Sequence, residues 1–94
     1  MRYRHVIKDA IDRRKVIELR YKDVTRRVRP HILGYVGHDE LAVSGWQISG
    51  TGAGWRLFHV NDISELTATE QGFHGTARGY NPNDPAFSRI IDRI

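Results

Sequence analysis

The sequence predicts a mainly β domain: a small five-stranded antiparallel barrel or sandwich with an amphipathic helix at each end. Three observations predict it. Between Val16 and Thr69, apolar residues recur in short runs with period two, the spacing at which side chains share one face of a strand. Gly, Asn and Asp separate these runs at intervals of roughly 8–12 residues, the signature of small all-β domains. Before and after them, at Tyr3–Ile11 and Phe87–Ile94, the apolar spacing becomes helical. Closing five strands into a barrel removes the edges that an open sheet exposes.

The first helix is expected over residues 4–14. Tyr3, Ile7, Ala10 and Ile11 form its apolar stripe, with Val6 beside them and Lys8, Asp9, Asp12 and Arg13 outside. Arg13, Arg14 and Lys15 follow where a helix carboxyl end favours cations. From Val16 to Tyr21, Ile17, Leu19 and Tyr21 alternate with Glu18 and Arg20, which reads as a strand. Lys22-Asp23-Val24 connects it as a hairpin to a second strand, Thr25–Leu33.

That second strand has two unlike faces. Arg26, Val28, Pro30 and Ile32 are expected on one, and Arg27, Arg29 and His31 on the other. Pro30 cannot donate to a ladder, which points to an edge or a bulge. Gly34 and Gly37-His38-Asp39 then punctuate the chain. Glu40–Ile48 reads as a third strand bent at Gly45, and Ser49–Gly54 as a flexible tip. Trp55–Val60 is a fourth strand, with Arg56, Phe58 and Val60 on one face. Asn61-Asp62 turns into a fifth, Ile63–Thr69. Residues 1–73 thus make the barrel domain, and 74–94 a linker and a terminal helix. Asp84 and Pro85 carry the cap and first-position signals of that helix, and Phe87, Ile90, Ile91 and Ile94 its stripe. A helix of about ten residues is marginal alone, so it must dock on its own barrel or on another copy of the chain.

Composition narrows the function classes. Ninety-four residues make one domain with a small core. With no cysteine there are no disulfides and no thiolate metal sites. No apolar run approaches the roughly 20 residues of a membrane helix. Met1–Val6 has charge without an apolar stretch behind it, so no signal peptide is expected and the cytoplasm is the default compartment. The net charge of +4 is uneven: residues 1–31 hold eleven of the fifteen Lys and Arg but four acids, and the remainder carries an excess of acid. A basic half on a small domain points to an anionic partner, with nucleic acid the common case.

The candidate binding residues are Arg26, Arg27, Arg29 and His31 on the second strand, and Arg56 on the fourth. Arg26 and Arg56 both lie among residues expected to face inward, where an arginine is costly unless paired. They either pair with an acid such as Asp62 or Glu65, or converge at a barrel mouth with Tyr21 or Tyr35 to grip a phosphate or carboxylate. Trp46 or Trp55, if exposed, adds base stacking.

The order and spacing of these elements resemble the WYL domain, a bacterial family named for a Trp-Tyr-Leu tripeptide. Its pattern opens with a short helix, matched by Ala10-Ile11, and a strand ending in an aromatic, matched by Tyr21. An R-x-V-x-P element follows, present as Arg26, Val28 and Pro30, with Leu33 beyond. Later comes an R-x-F element leading to Ile and a further aromatic, present as Arg56, Phe58, Val60, Ile63, Leu66 and Phe73. The likeness spans residues 4–73. Of the naming tripeptide only Leu41 remains, in Asp39-Glu40-Leu41, and the family's Asp-Arg pair stands here as Asn61-Asp62. The resemblance implies an Sm-like (Src-homology-type) barrel. It also implies a sensing module whose basic pocket, falling on Arg26 and Arg56, binds a small anionic ligand or nucleic acid and controls transcription.

Catalytic chemistry finds no support in the residue pattern. His5, His31, His38, His59 and His74 lack metal-ligand spacing, no cofactor motif is present, and Ser44 and Ser88 lack a nucleophile turn. The leading expectation is therefore a non-catalytic binding module for an anionic ligand, DNA or RNA. The alternative is a small Sm-like assembly protein that oligomerises through Phe87, Ile90, Ile91 and Ile94.

Overall fold

The computed structural model describes residues 2–94. An amphipathic helix, α1 (Tyr3–Arg13), is followed by β1 (Lys15–Tyr21), β2 (Val24–Val36), β3 (Glu40–Ser49) and β4 (Gly54–His59). A single 3-10 turn, Val60–Asp62, leads into β5 (Ile63–Gly72), and the chain ends in β6 (Phe87–Arg93). The fold is mainly β, with six strands rather than five, all paired antiparallel in the order β4-β3-β2-β1-β5, and with β6 added to β2.

Local chemistry explains the elements. α1 buries Ile7, Ala10 and Ile11 and stops at Arg14, whose left-handed backbone (φ 56°) returns its N–H to the carbonyls of Ala10 and Ile11. β1 and β2 form a hairpin over Lys22 and Asp23, both at positive φ (51° and 62°). That geometry is the tight-turn conformation usually filled by Asn-Gly.

β2 is the spine of the sheet. Its Val24–Val28 portion pairs with β1, and its Ile32–Val36 portion pairs with β6 on the same edge, while β3 runs along the other edge from Arg27 to Val36. Pro30 falls in the gap between the two partners, so its missing N–H breaks no ladder. The register slips between Pro30 and Ile32, and this slip corrects one expectation. Val28 and Ile32 do not share a face. Val28 and Leu33 enter the main core with α1, Leu19, Val43, Phe58 and Ile63. Ile32 turns instead to a second, smaller core on the opposite face with Val36, Ala42 and Phe87.

The expected carboxyl-terminal helix is not formed. Residues 87–93 are a strand, and the proposed oligomer interface through a helix of Phe87, Ile90, Ile91 and Ile94 has no such element to form it. The reason is the open edge of β2, which offers ladder hydrogen bonds that a ten-residue helix would have to forgo, to residues whose paired isoleucines suit a strand. The capping signal makes a turn instead: Asp84 accepts the Ala86 N–H at 2.9 Å through its side chain and the Phe87 N–H at 3.1 Å through its carbonyl. Phe87 is buried; Ile90 and Ile91 are half-buried against the second and main cores. No helix among the described residues is long and apolar enough to cross a membrane.

Gly34 marks where β6 sits closest to β2. A Cβ there would overlap the Arg89 carbonyl and stand 2.9 Å from Phe87 Cδ1. Gly34→Ala is therefore expected to lower stability by about 1–3 kcal/mol. Amide protection should disappear first at residues 87–93 while β1 and β5 retain theirs, which hydrogen-exchange NMR would check.

Candidate functional site

The cationic residues singled out by the sequence divide into two groups. Arg26 lies where β2 leaves the hairpin, on the same face as Leu19 and Val28, and is 8% exposed. Its guanidinium lies 5.5 Å from the Tyr21 ring centroid and 5.7 Å from that of Phe58, a favourable position for a cation over aromatic faces. It donates to the Tyr21 carbonyl (3.1 Å), to Gln47 Oε1 (3.4 Å) and to Thr51 Oγ1 (3.5 Å). Its Nε has no partner. No carboxylate pairs with it among the described residues.

Arg56, on β4, is held against the same loop. Its two terminal nitrogens donate to the carbonyls of Trp55 (2.9 Å) and Gly52 (3.2 Å), and it too has no acid partner among the described residues. Gln47 joins the two cations. Fully buried, it accepts from Arg26 and donates to Thr51 Oγ1 at 2.9 Å and to the Gly52 carbonyl at 2.7 Å. Arg26 and Arg56 thus meet on one loop through one amide side chain. Neither is consumed by Asp62 or Glu65. Tyr21 belongs to this group: it packs edge-on against Phe58 at 5.0 Å, and its hydroxyl accepts the His59 N–H.

The other candidates lie elsewhere. Arg27 is engaged by Glu18 at 3.1 Å and by Gln71 at 2.6 Å. Tyr35 is near the far end of β2, where its hydroxyl accepts from Arg4 and its ring lies under Arg89. Arg29 is half-buried opposite Trp46, without an acid partner among the described residues. Trp46 and Trp55 are both half-buried and meet edge-on at 5.8 Å.

His31 is not on an open cationic face. It is fully buried, stacked on Phe73 and packed against Trp55 and Tyr80. Nδ1 lies 2.8 Å from the Arg29 carbonyl, and Nε2 accepts the Ala77 N–H at 3.0 Å. That pair of hydrogen bonds requires the neutral ring with its proton on Nδ1. His31 keeps the face it shares with Arg29, Trp46 and Trp55, and the strap formed by residues 73–86 covers it there.

The strap reads in the sequence as a linker, and its role was missed there. It covers the outer face of β2, β3 and β4. The Trp55 indole N–H donates to the Arg78 carbonyl (2.8 Å), and the Tyr80 hydroxyl to the Ile94 carbonyl (3.0 Å). Between strap and sheet lies a cleft of about 300 Å³ lined by Ile32, Ser44, Trp55, Arg56, Leu57, Tyr80 and Asp84. The aromatic residues Phe73 and Tyr80 were the available signal.

Comparison with known proteins gives no match to a family model, a curated protein or a solved structure.

Burial pushes the His31 pKa below its ordinary value of 6.5, and the nearby Arg29 and Arg14 charges push the same way. The unfolded chain therefore takes up the proton first, so this contribution to stability is full above about pH 6.5 and is lost as pH falls below it. On lowering pH from about 8 to about 5, the thermal midpoint is expected to decline, with the Ala77 amide losing exchange protection before the β1–β5 amides. An NMR titration should place the His31 ring transition below 6.5.

Proposed function

We propose that this chain is a non-catalytic module that binds an anionic ligand, small molecule or nucleic acid, as the resemblance to WYL-type sensors suggests. The observation that carries the reading is the pairing of Arg26 and Arg56 on one loop with no carboxylate between them. The buried Arg26 guanidinium is held only by neutral oxygens and aromatic faces, with no acid among the described residues set against it. Arg56, half-exposed beside it, is where an incoming anion would be met, and each of its terminal nitrogens retains a free N–H. The Sm-like barrel reading is supported by the strand order β4-β3-β2-β1-β5 and by the 3-10 turn between β4 and β5. The alternative, an assembly protein, rests on the free edges of β4 and β5 at the two ends of that order.

A binding screen of single-stranded oligonucleotides and nucleotides at two salt concentrations tests the reading. Affinity should fall with salt. Arg56→Gln should weaken every sequence alike and shrink the salt slope by about one for each phosphate it no longer neutralises. Arg27→Gln, already tied to Glu18, should change the slope little. Binding that ignores both salt and Arg56 overturns the proposal. A mass in solution above that of one chain, independent of added nucleic acid, would favour assembly.

A further inference from the structure

We infer that the cleft between the strap and the outer face of β2–β4 is a binding site for a small planar aromatic ligand carrying one carboxylate. The inference rests on the anion-binding reading for the ligand's charge, and names the rest of the ligand from the cleft itself. Three observations carry it.

The first is the wall. Leu57 is the only large apolar side chain exposed among the described residues (39%), and it lies in the cleft with Ile32 and Ala86. Exposed apolar surface inside a concavity is what a ring covers. Trp55 and Tyr80, stacked at 6.1 Å with planes 22° apart, present a further flat surface. About 300 Å³ is at the small end of ligand pockets, matching one or two fused rings.

The second is an unused polar group. Ser44 is 7% exposed and lines the cleft, and its hydroxyl makes no hydrogen bond among the described residues. In the β3–β4 register Ser44 pairs with Leu57, and its neighbour Gly45 pairs with Arg56. Neighbouring register positions alternate faces, but Arg56, on the edge strand β4, lines the cleft together with Ser44, so the hydroxyl and the guanidinium are both available to the oxygens of one carboxylate, with the guanidinium as charged donor.

The third is the polarity of the lining. Asp84 is the acid there, held by the turn in which it accepts from Ala86. Repulsion orients an anionic ligand with its charge toward Arg56 and its ring toward Leu57.

The test titrates the full chain with 2-naphthoate, its neutral isostere 2-naphthamide, and acetate, following amide shifts by NMR. 2-Naphthoate is expected to move Leu57, Gly79 and Tyr80. The amide should bind about tenfold more weakly, as removal of one charge-assisted hydrogen bond predicts, and acetate should produce no localised change. Ser44→Ala should weaken 2-naphthoate about fivefold without lowering the thermal midpoint, since the hydroxyl it removes has no hydrogen-bond partner within the protein. Asp84→Asn should tighten it. If 2-naphthamide binds as well as 2-naphthoate, the carboxylate assignment is wrong. If acetate moves the same residues as strongly, the ring assignment is wrong while anion binding at Arg56 stands. If no probe moves the cleft residues, the site is overturned, and the salt-dependent oligonucleotide screen reports separately on Arg26 and Arg56.

Discussion

The fold turns on what happens to β2 between Arg29 and Ile32. One strand edge has to serve two partners, β1 and β6, and the handover takes place at a residue without an N–H. The register with β3 slips just after Pro30, with His31 the extra residue, and the slip reverses which face each later side chain takes. Beyond it, Leu33 reaches the main core and Ile32 founds the second one. The Ile94 N–H closes the junction by donating to the His31 carbonyl at 3.0 Å. His31 itself stays on the face of Arg29, and the strap packed over that face is what removes it from solvent.

The charge distribution obeys a similar economy. The chain has a basic amino-terminal half, yet its ion pairs are few and mostly exposed, such as Lys8 with Asp12 and Arg13 with Asp9. Pairs of that kind contribute little to stability. The cation most removed from water, Arg26, is stabilised instead by two aromatic rings, a carbonyl, an amide and a hydroxyl. Burying a charge that way needs several good partners at once. It also leaves the charge uncancelled, which distinguishes this cluster from Arg27, whose charge Glu18 largely answers.

Much of the fold was legible because it rests on periodicity. The first helix, the hairpin and the strands from Ile17 to Thr69 stand where alternation and turn residues put them, within a few residues at the ends. Arg26 and Arg56 were legible as anomalies, cations on apolar faces, and they do share a neighbourhood. Tyr35 and Arg27 do not join them, because position along a thirteen-residue strand separates Tyr35 from Arg26 and an acid on β1 claims Arg27. The terminal strand was not legible. Phe87, Ile90, Ile91 and Ile94 fit a helical stripe, and only the vacant edge of β2 decides against it. That edge is a property of the assembled sheet and not of any local window. The register slips in the β2–β6 pairing let residues at helical spacing serve a strand. Ser44 was invisible for the same reason: nothing local says that a strap will roof it.

The strap connects these levels. His31 holds it through Ala77, and the ring of His31 packs on the same Trp55 and Tyr80 that form the cleft's aromatic surface. The two sides of the cleft are therefore joined through one imidazole. A charge on that ring would turn Nε2 from an acceptor into a donor facing the Ala77 N–H, in a setting that already contains Arg29 and Arg14. The buried ring gains its stability from being neutral, and the cleft inherits its shape from that neutrality. Asp92 joins the strand after the strap to the helix, lying 3.7 Å from Lys8, which also binds Asp12 at 2.9 Å. Burial and the neighbouring Asp12 raise the Asp92 carboxyl above its ordinary range, while a hydrogen bond with Asp92 and one with Lys8 lower Asp12. The two acids oppose each other in their effect on stability and differ in that respect from His31, which has no titrating partner to offset it. Among the buried groups of the strap and its neighbours, the imidazole is thus the one whose protonation bears directly on the cleft.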